Sequence, residues 1–224
     1  MNKKLKVWTV LSGVFGLLFV LFTVLVKTID VEVVGEAGSE VGFAFLNRPF
    51  MKTVGKSDLW LKVSELFGIV ALLLICLFVG IGLIQWIKRK SLKQVDYQIY
   101  ALAMLCVCVV MMYILFEILV INKRPILVDG ELEASYPSTH TLIAICSFGS
   151  AITMINYLVK NKKLKIAFNC ACVVFATLVV IGRTLSGVHW ITDIIASMLL
   201  SGLLLSVFNA LVNCEKVQNL FKKQ

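Results

Sequence analysis

Two histidines, two arginines and an aspartate in the C-terminal half of the chain have the types and spacing of a phosphoryl-transfer site. In GRTLSGVHWITD, residues 182–193, His189 and Asp193 stand four apart, so on a helix they share a face and can touch. A carboxylate bonded to one ring nitrogen fixes the tautomer, leaves the other nitrogen free to attack, and stabilises the imidazolium that develops. Gly187 lets the preceding turn fold tightly. The plainer alternative is a pair that caps a helix, but Asp193 stands deeper than a routine cap.

His140 closes the stretch YPSTH, residues 136–140. Pro137 suits a helix start and Ser138 or Thr139 a cap. That puts His140 in a first turn, where free backbone amides form an anion site. A bound anion favours the protonated imidazole, so His140 is placed to donate a proton to a leaving group. In INKRPIL, residues 121–127, Arg124 joins Arg183 as a second planar guanidinium fork suited to phosphate oxygens. Lys123 either adds charge there or is one of the lysines common at span ends. Pro125 is expected to stop the helix before it.

Together these groups imply a histidine that attacks phosphorus, a phosphohistidine that water hydrolyses, and arginines that hold the charged oxygens in the transition state. Two histidines and an aspartate also have the ligand types for zinc, but adjacent arginines repel a dication, so no metal and no cofactor is expected.

These residues must be positioned by a chain that is 59% hydrophobic and only 16% charged. Soluble domains average about 45–50% apolar and about 25% charged. Apolar stretches of about 20 residues can cross a bilayer, and six are present. They run roughly over 7–26, 66–87, 97–121, 141–159, 166–181 and 191–212, the fifth being short. A lipid-exposed backbone must bond to itself, so each span is expected to be a helix. The expected fold is therefore all-α: a single membrane domain over residues 1–224, a bundle of six transmembrane helices, with the chemistry-bearing segments in 117–193. The first span has a basic start (Lys3, Lys4, Lys6), but it is longer than a signal-peptide core and no small-residue cleavage pattern follows, so it reads as a retained span.

The net charge of +9 reports topology. With the N-terminus inside, the inner segments collect Lys3, Lys4 and Lys6; Lys88, Arg89, Lys90 and Lys93; Lys160, Lys162, Lys163 and Lys165; and Lys216, Lys222 and Lys223, with Asp96 and Glu215 as their acids. An inner excess of Lys and Arg orients cytoplasmic loops and favours anionic lipid, so the expected partners are membrane lipid and a lipid phosphate substrate, not nucleic acid. Both termini are then cytoplasmic, and every residue of the candidate site falls at the outer face of the cytoplasmic membrane.

The loop at about residues 27–65 starts acidic (Asp30, Glu32, Glu36, Glu40) and then mixes aromatics with Lys and Arg, which suits the membrane interface. It is either a structured connector or a lid over the outer site, and Ser57 or Asp58 is placed to cap the helix that leaves it. The seven cysteines fall in or beside spans, and Cys-x-Cys at 106–108 and 170–172 reads as buried small apolar packing rather than a metal pair.

These motifs resemble those of the type 2 phosphatidic acid phosphatase (PAP2) superfamily of integral membrane lipid phosphatases, marked by K-x6-R-P, P-S-G-H and S-R-x5-H-x3-D. The second is Pro137–His140 as P-S-T-H; the third is Gly182–Asp193 as G-R-x5-H-x3-D with its spacings intact. The resemblance runs from about the third span onward. It implies that His189 is the nucleophile, Asp193 its orienting partner and His140 the leaving-group acid, with Arg124, Arg183, Ser138 and the Thr139 amide on phosphate. Seven residues before Arg124, where the family has lysine, stands Glu117. The carboxylate is expected to pair with Arg124 or Lys123, and Lys123 to supply part of the missing charge. The implied activity is metal-independent removal of phosphate from a lipid phosphate or pyrophosphate of the undecaprenyl, phosphatidylglycerol or phosphatidic acid type. Three rivals remain: a lipid phosphotransferase, a degenerate non-catalytic lipid-phosphate binder, and a bis-histidine haem protein, which would need histidines deep in facing spans.

Overall fold

The computed structural model describes residues 2–35, 38–127, 130–215 and 217–218. Glu36, Asp129, Lys216, Lys222 and Lys223, which carry part of the charge pattern, lie outside the described residues. Among the described residues, six helices are long and apolar enough to span a membrane: α1 (Lys3–Thr28), α3 (Asp58–Arg89), α4 (Tyr97–Leu119), α5 (Thr139–Leu158), α6 (Lys162–Leu185) and α7 (Ile191–Val212). A shorter α2 (Ala44–Val54) lies between α1 and α3. The chain is a multi-pass helical membrane protein, as its hydropathy predicts. α1, α3 and α6 outrun their apolar stretches because polar turns add to their ends: α3 starts at Asp58, and α6 reaches 24 residues by taking in Lys162, Lys163 and Lys165.

The order of packing follows from which helices can bury all their faces. α5 and α7 stand at the centre, where Ser147, Ser150, Ser197 and Ser201 are buried and small side chains let the backbones approach. α1 lies along α7, while α3 and α6 pack against each other and against α5. α1, α3 and α4 expose Leu17, Leu73 and Ile118, the apolar surface a bilayer covers. Cys146 and Cys172 are buried, but Cys170 is exposed, contrary to a uniform core role for Cys-x-Cys. Residues two apart on a helix face different ways, so Cys170 meets lipid while Cys172 packs inside.

Helix ends determine what reaches the site. α4 does not run on to Pro125; it stops at Leu119, with Val120 in the left-handed region (φ 42°) and its N–H donating to the Phe116 carbonyl. Beyond it, residues 122–124 pair antiparallel with 133–135, with Arg124 N–H donating to the Glu133 carbonyl (3.0 Å) and Ser135 N–H to the Asn122 carbonyl (2.9 Å). At the other end of the bundle, Arg89 Nη1 donates to Asp96 Oδ1 (2.8 Å) and closes the turn from α3 to α4.

The loop after α1 is folded. Glu32–Val33 pairs antiparallel with Glu40–Val41, and α2 buries Ala44 and Asn47 while exposing Phe45 and Leu46. Asn47 Nδ2 donates to the Gly42 carbonyl (2.7 Å) and to Thr192 Oγ1 (3.1 Å), tying α2 to the start of α7. Ser57 takes the N-cap position of α3, but its hydroxyl makes no capping bond; its N–H instead donates to the Ser186 carbonyl (3.2 Å).

The turn from α6 to α7 passes under this loop at Gly187, whose φ is +75°. A Cβ there would stand 2.1 Å from the Gly55 carbonyl oxygen. Gly187→Ala therefore combines left-handed strain, about 1–2 kcal/mol, with a backbone clash. It should lower the unfolding temperature in detergent by several degrees, whereas Gly13→Ala, a helical site with open space around it, should leave it unchanged or raised. Equal unfolding temperatures for Gly187→Ala and wild type would count against the close loop contact.

Candidate active site

The α6–α7 turn, the start of α5 and the segment after α4 meet at one end of the bundle. His189 is 2% exposed and sits just before α7, with Trp190 as N-cap. It is outside the helix, yet Asp193 still reaches it: Asp193 Oδ2 lies 3.6 Å from His189 Nδ1 and accepts the Trp190 N–H at 3.1 Å. Asp193 thus caps its helix and faces the histidine at once, so the two roles weighed for it are not alternatives.

The hydrogen bond on Nδ1 goes elsewhere than the spacing suggests. At 3.6 Å the carboxylate is an electrostatic neighbour; the Ser135 carbonyl, 3.1 Å away, is the acceptor. A carbonyl can only accept, which puts the proton on Nδ1 and a lone pair on Nε2. Nε2 is buried with no hydrogen-bond partner among the described residues, and the ring lines a cleft shared with Glu117, Arg124, Tyr136, Thr139 and His140. Burial pushes the His189 imidazole below its usual range; Asp193 opposes this, and the fields of Arg124 and Arg183 add to it. With the proton on Nδ1, the lone pair lies on the buried, unpartnered Nε2 of a ring that borders the cleft.

His140 occupies the first turn of α5 and is exposed to the same cleft, within electrostatic reach of His189, Arg124 and Arg183. Thr139 lines the cleft beside it, where first-turn amides have no intrahelical acceptor. Ser138 is the N-cap residue, but it is fully buried and its hydroxyl donates to Thr141 Oγ1 (3.1 Å). Its side chain is engaged inside the protein and does not line the cleft.

The arginines differ. Arg183, 3% exposed at the end of α6, has no hydrogen-bond partner for Nε or Nη2 among the described residues. A Cβ at Gly182 would stand 2.8 Å from Ser64 Cβ, so only glycine allows the α3–α6 approach that seats Arg183. Arg124 directs Nη1 to the Val188 carbonyl (3.4 Å), and its Nε lies 3.0 Å from Glu133 Oε2, close enough for an ion pair though misaligned for a hydrogen bond. The carboxylate beside Arg124 is therefore Glu133 and not, as expected, Glu117. The backbone pairing of residues 124 and 133 places them side by side. Glu117 is exposed and lines the cleft. Lys123 is exposed and does not line it; its carbonyl accepts the Trp190 Nε1–H (2.7 Å).

Two participants escape a search for reactive side chains. Asn122, 3% exposed, donates from Nδ2 to Asp193 Oδ1 (3.0 Å), and Ser135 supplies only a carbonyl. The one sequence signal for Asn122 is a polar amide beside a run of apolar residues at a span end. No described residue of the long loop lines the cleft; the loop packs on the α6–α7 turn and the start of α7 through Ser57 and Asn47.

Comparisons with known proteins agree with this fold. The chain resembles the crystal structure of a transmembrane PAP2-type phosphatidylglycerolphosphate phosphatase from Bacillus subtilis, with a TM-score of 0.65 and 20% identity over 92% of this chain and 96% of that one. No curated protein gives a significant sequence match. The sequence profile of the PAP2 superfamily matches residues 41–215, from the long loop to the end of α7 and across all the candidate site residues, and the chain belongs to that superfamily.

Proposed function

We propose that the protein is a metal-independent phosphatase of lipid phosphates or pyrophosphates, working through a phosphohistidine at the outer face of the cytoplasmic membrane. The observation that carries this reading is the His189 ring: Nδ1 is tied to the Ser135 carbonyl, Nε2 has no hydrogen-bond partner among the described residues, and the residue lines a cleft shared with Arg124 and His140. Nε2 attacks phosphorus, and the P–O bond to the leaving alcohol or phosphate breaks. His140 supplies the proton to that oxygen. Water then cleaves the P–N bond and restores His189. Arg183, with two unpartnered nitrogens, and Arg124 hold the oxygens as charge builds. Asp193 stabilises the imidazolium character of the attacking ring.

The orientation rests on the lysine-rich loops at the opposite end of the bundle, which belong on the cytoplasmic side. An outward site at a membrane surface suits undecaprenyl pyrophosphate first, then phosphatidylglycerol phosphate and phosphatidic acid. The exposed Phe45 and Leu46 of α2 then lie at the same interface.

Phosphate release from these three lipids in detergent with EDTA tests the chemistry. Wild type should release phosphate from at least one, and His189→Ala should be slower by at least about 10³-fold, the scale seen when a nucleophile is deleted. Equal release by both would overturn the mechanism. Because burial lowers the proton affinity of His189, its neutral form persists below the ordinary imidazole value of about 6.5. The acid limb of kcat/KM should fall below that pH, and a limb above it would contradict the assignment. Glu117 puts a negative charge on the cleft wall where an anion binds. Glu117→Lys should raise kcat/KM about tenfold, roughly the effect of 1.4 kcal/mol, whereas a fall would mean that the carboxylate helps recognise the lipid.

A further inference from the structure

We propose that Asn122 is the positioning residue of this site, holding both acceptors that face Nδ1 of His189. The inference rests on the phosphohistidine reading above. Asn122 does not line the cleft, so it acts through other groups rather than on substrate. Its side-chain Nδ2 donates to Asp193 Oδ1 (3.0 Å), while its backbone carbonyl accepts the Ser135 N–H (2.9 Å). Ser135 in turn presents its carbonyl to His189 Nδ1 (3.1 Å), and Asp193 Oδ2 stands 3.6 Å from the same nitrogen. One buried residue therefore fixes the carboxylate and the carbonyl together.

The chemistry explains why an amide stands there. Asp193 is fully buried, so each carboxylate oxygen needs a donor. Trp190 N–H serves Oδ2 and Asn122 serves Oδ1. The two bonds fix the carboxylate plane; with Asn122 removed, the side chain can turn about its terminal torsion and Oδ2 can leave Nδ1. A cationic donor at 122 would neutralise the carboxylate and weaken its hold on a developing imidazolium. A neutral amide orients the charge and leaves it intact. The left-handed turn at Val120, costly for a β-branched residue, is what swings residue 122 back toward α7. The charged and titratable groups facing His189 are Asp193 on α7, Arg124 after α4, Arg183 on α6 and His140 on α5.

The test uses the full chain in detergent, with whichever of phosphatidic acid, phosphatidylglycerol phosphate and undecaprenyl pyrophosphate wild type turns over. Asn122→Ala should lower kcat about 10–100-fold, the usual scale for a lost orienting partner, and leave KM close to wild type. Asn122→Asp is isosteric and places two carboxylates side by side, which share one proton at low pH and repel above it. Its kcat, as a ratio to wild type, should be highest at the acid end of the profile and fall as pH rises. That signature separates positioning from mere packing, and it decides the matter if Asn122→Ala fails to fold. A wild-type kcat in Asn122→Ala, a rise in KM alone, or a pH-independent ratio for Asn122→Asp would overturn the proposal. His189→Ala is run beside them. If it too is fully active, the phosphohistidine reading falls with this one; if it is dead while the Asn122 variants are unimpaired, only the positioning role falls.

Discussion

A single buried carboxylate organises one end of this molecule. Asp193 is fully buried at the first turn of α7, where an uncompensated charge would be costly. Its two oxygens take hydrogen bonds from the Trp190 N–H of its own helix start and from the Asn122 amide after α4, while the His189 ring of the α6–α7 turn stands 3.6 Å away as an electrostatic neighbour. The helix start itself favours a negative charge. Meeting these donors requires α4, α6 and α7 to end at the same level, so the electrostatics of one side chain impose a register on half the bundle. Ser138 N–H donates to the Asp193 carbonyl (3.2 Å), which brings the start of α5 to the same point.

The remaining architecture serves that convergence. The folded loop 29–57 reaches α7 through Asn47 and Thr192 and closes over Gly187, where no side chain would fit. Ser197 Oγ donates to the Ser138 carbonyl at 2.8 Å and to the Asp193 carbonyl at 2.9 Å, so α5 and α7 are pinned one turn below the site. These bonds lie between helices with apolar exteriors, where lipid offers no competing partners for a polar group. Outward-facing residues on α1, α3 and α4 need only be apolar. At the site end, buried apolar residues such as Tyr136 and Trp190 pack beside polar ones, most of which, like Asp193 and Ser197, have hydrogen-bond partners.

Much of this was legible in the sequence because hydropathy and ionisable residues are loud signals in an apolar chain. The six spans follow from run length, and α7 has the bounds expected of it. His140, His189, Arg124 and Thr139 come together around one cleft, with Asp193 and Arg183 beside it. What could not be read depends on the path of backbone between spans. The Ser135 carbonyl has no sequence signature, since every residue carries one. Asn122 is a neutral amide whose importance comes from a left-handed turn at Val120, and valine gives no hint of such a turn. Glu133 took the place beside Arg124 that Glu117 was expected to fill, because the pairing of 122–124 with 133–135 sets 124 against 133. Ser138 looked like a phosphate ligand, yet its hydroxyl turns inward to Thr141.

The pattern of paired and unpaired groups separates structural charge from working charge. Arg89 is neutralised by Asp96 at the far end of the bundle, and Arg48 by Glu32 on the loop; each pair is partly exposed and contributes little beyond local order. Arg183 is the opposite case: buried, with two nitrogens that have no hydrogen-bond partner among the described residues. Leaving a buried guanidinium short of acceptors costs free energy in the resting protein, and an arriving anion removes that cost. His189 Nε2 presents the same logic with the sign changed: a buried lone pair lacking a donor, relieved when it bonds to an electrophile. Arg183 stands beside the cleft rather than lining it, so under the proposed function its donors and the His189 lone pair would both have to be met by one ligand. A phosphate ester brings oxygens for the donors and phosphorus for the lone pair in one group. Arg124 completes the set while already beside the half-exposed Glu133, which keeps one guanidinium edge aligned and leaves the other toward the Val188 carbonyl and the cleft.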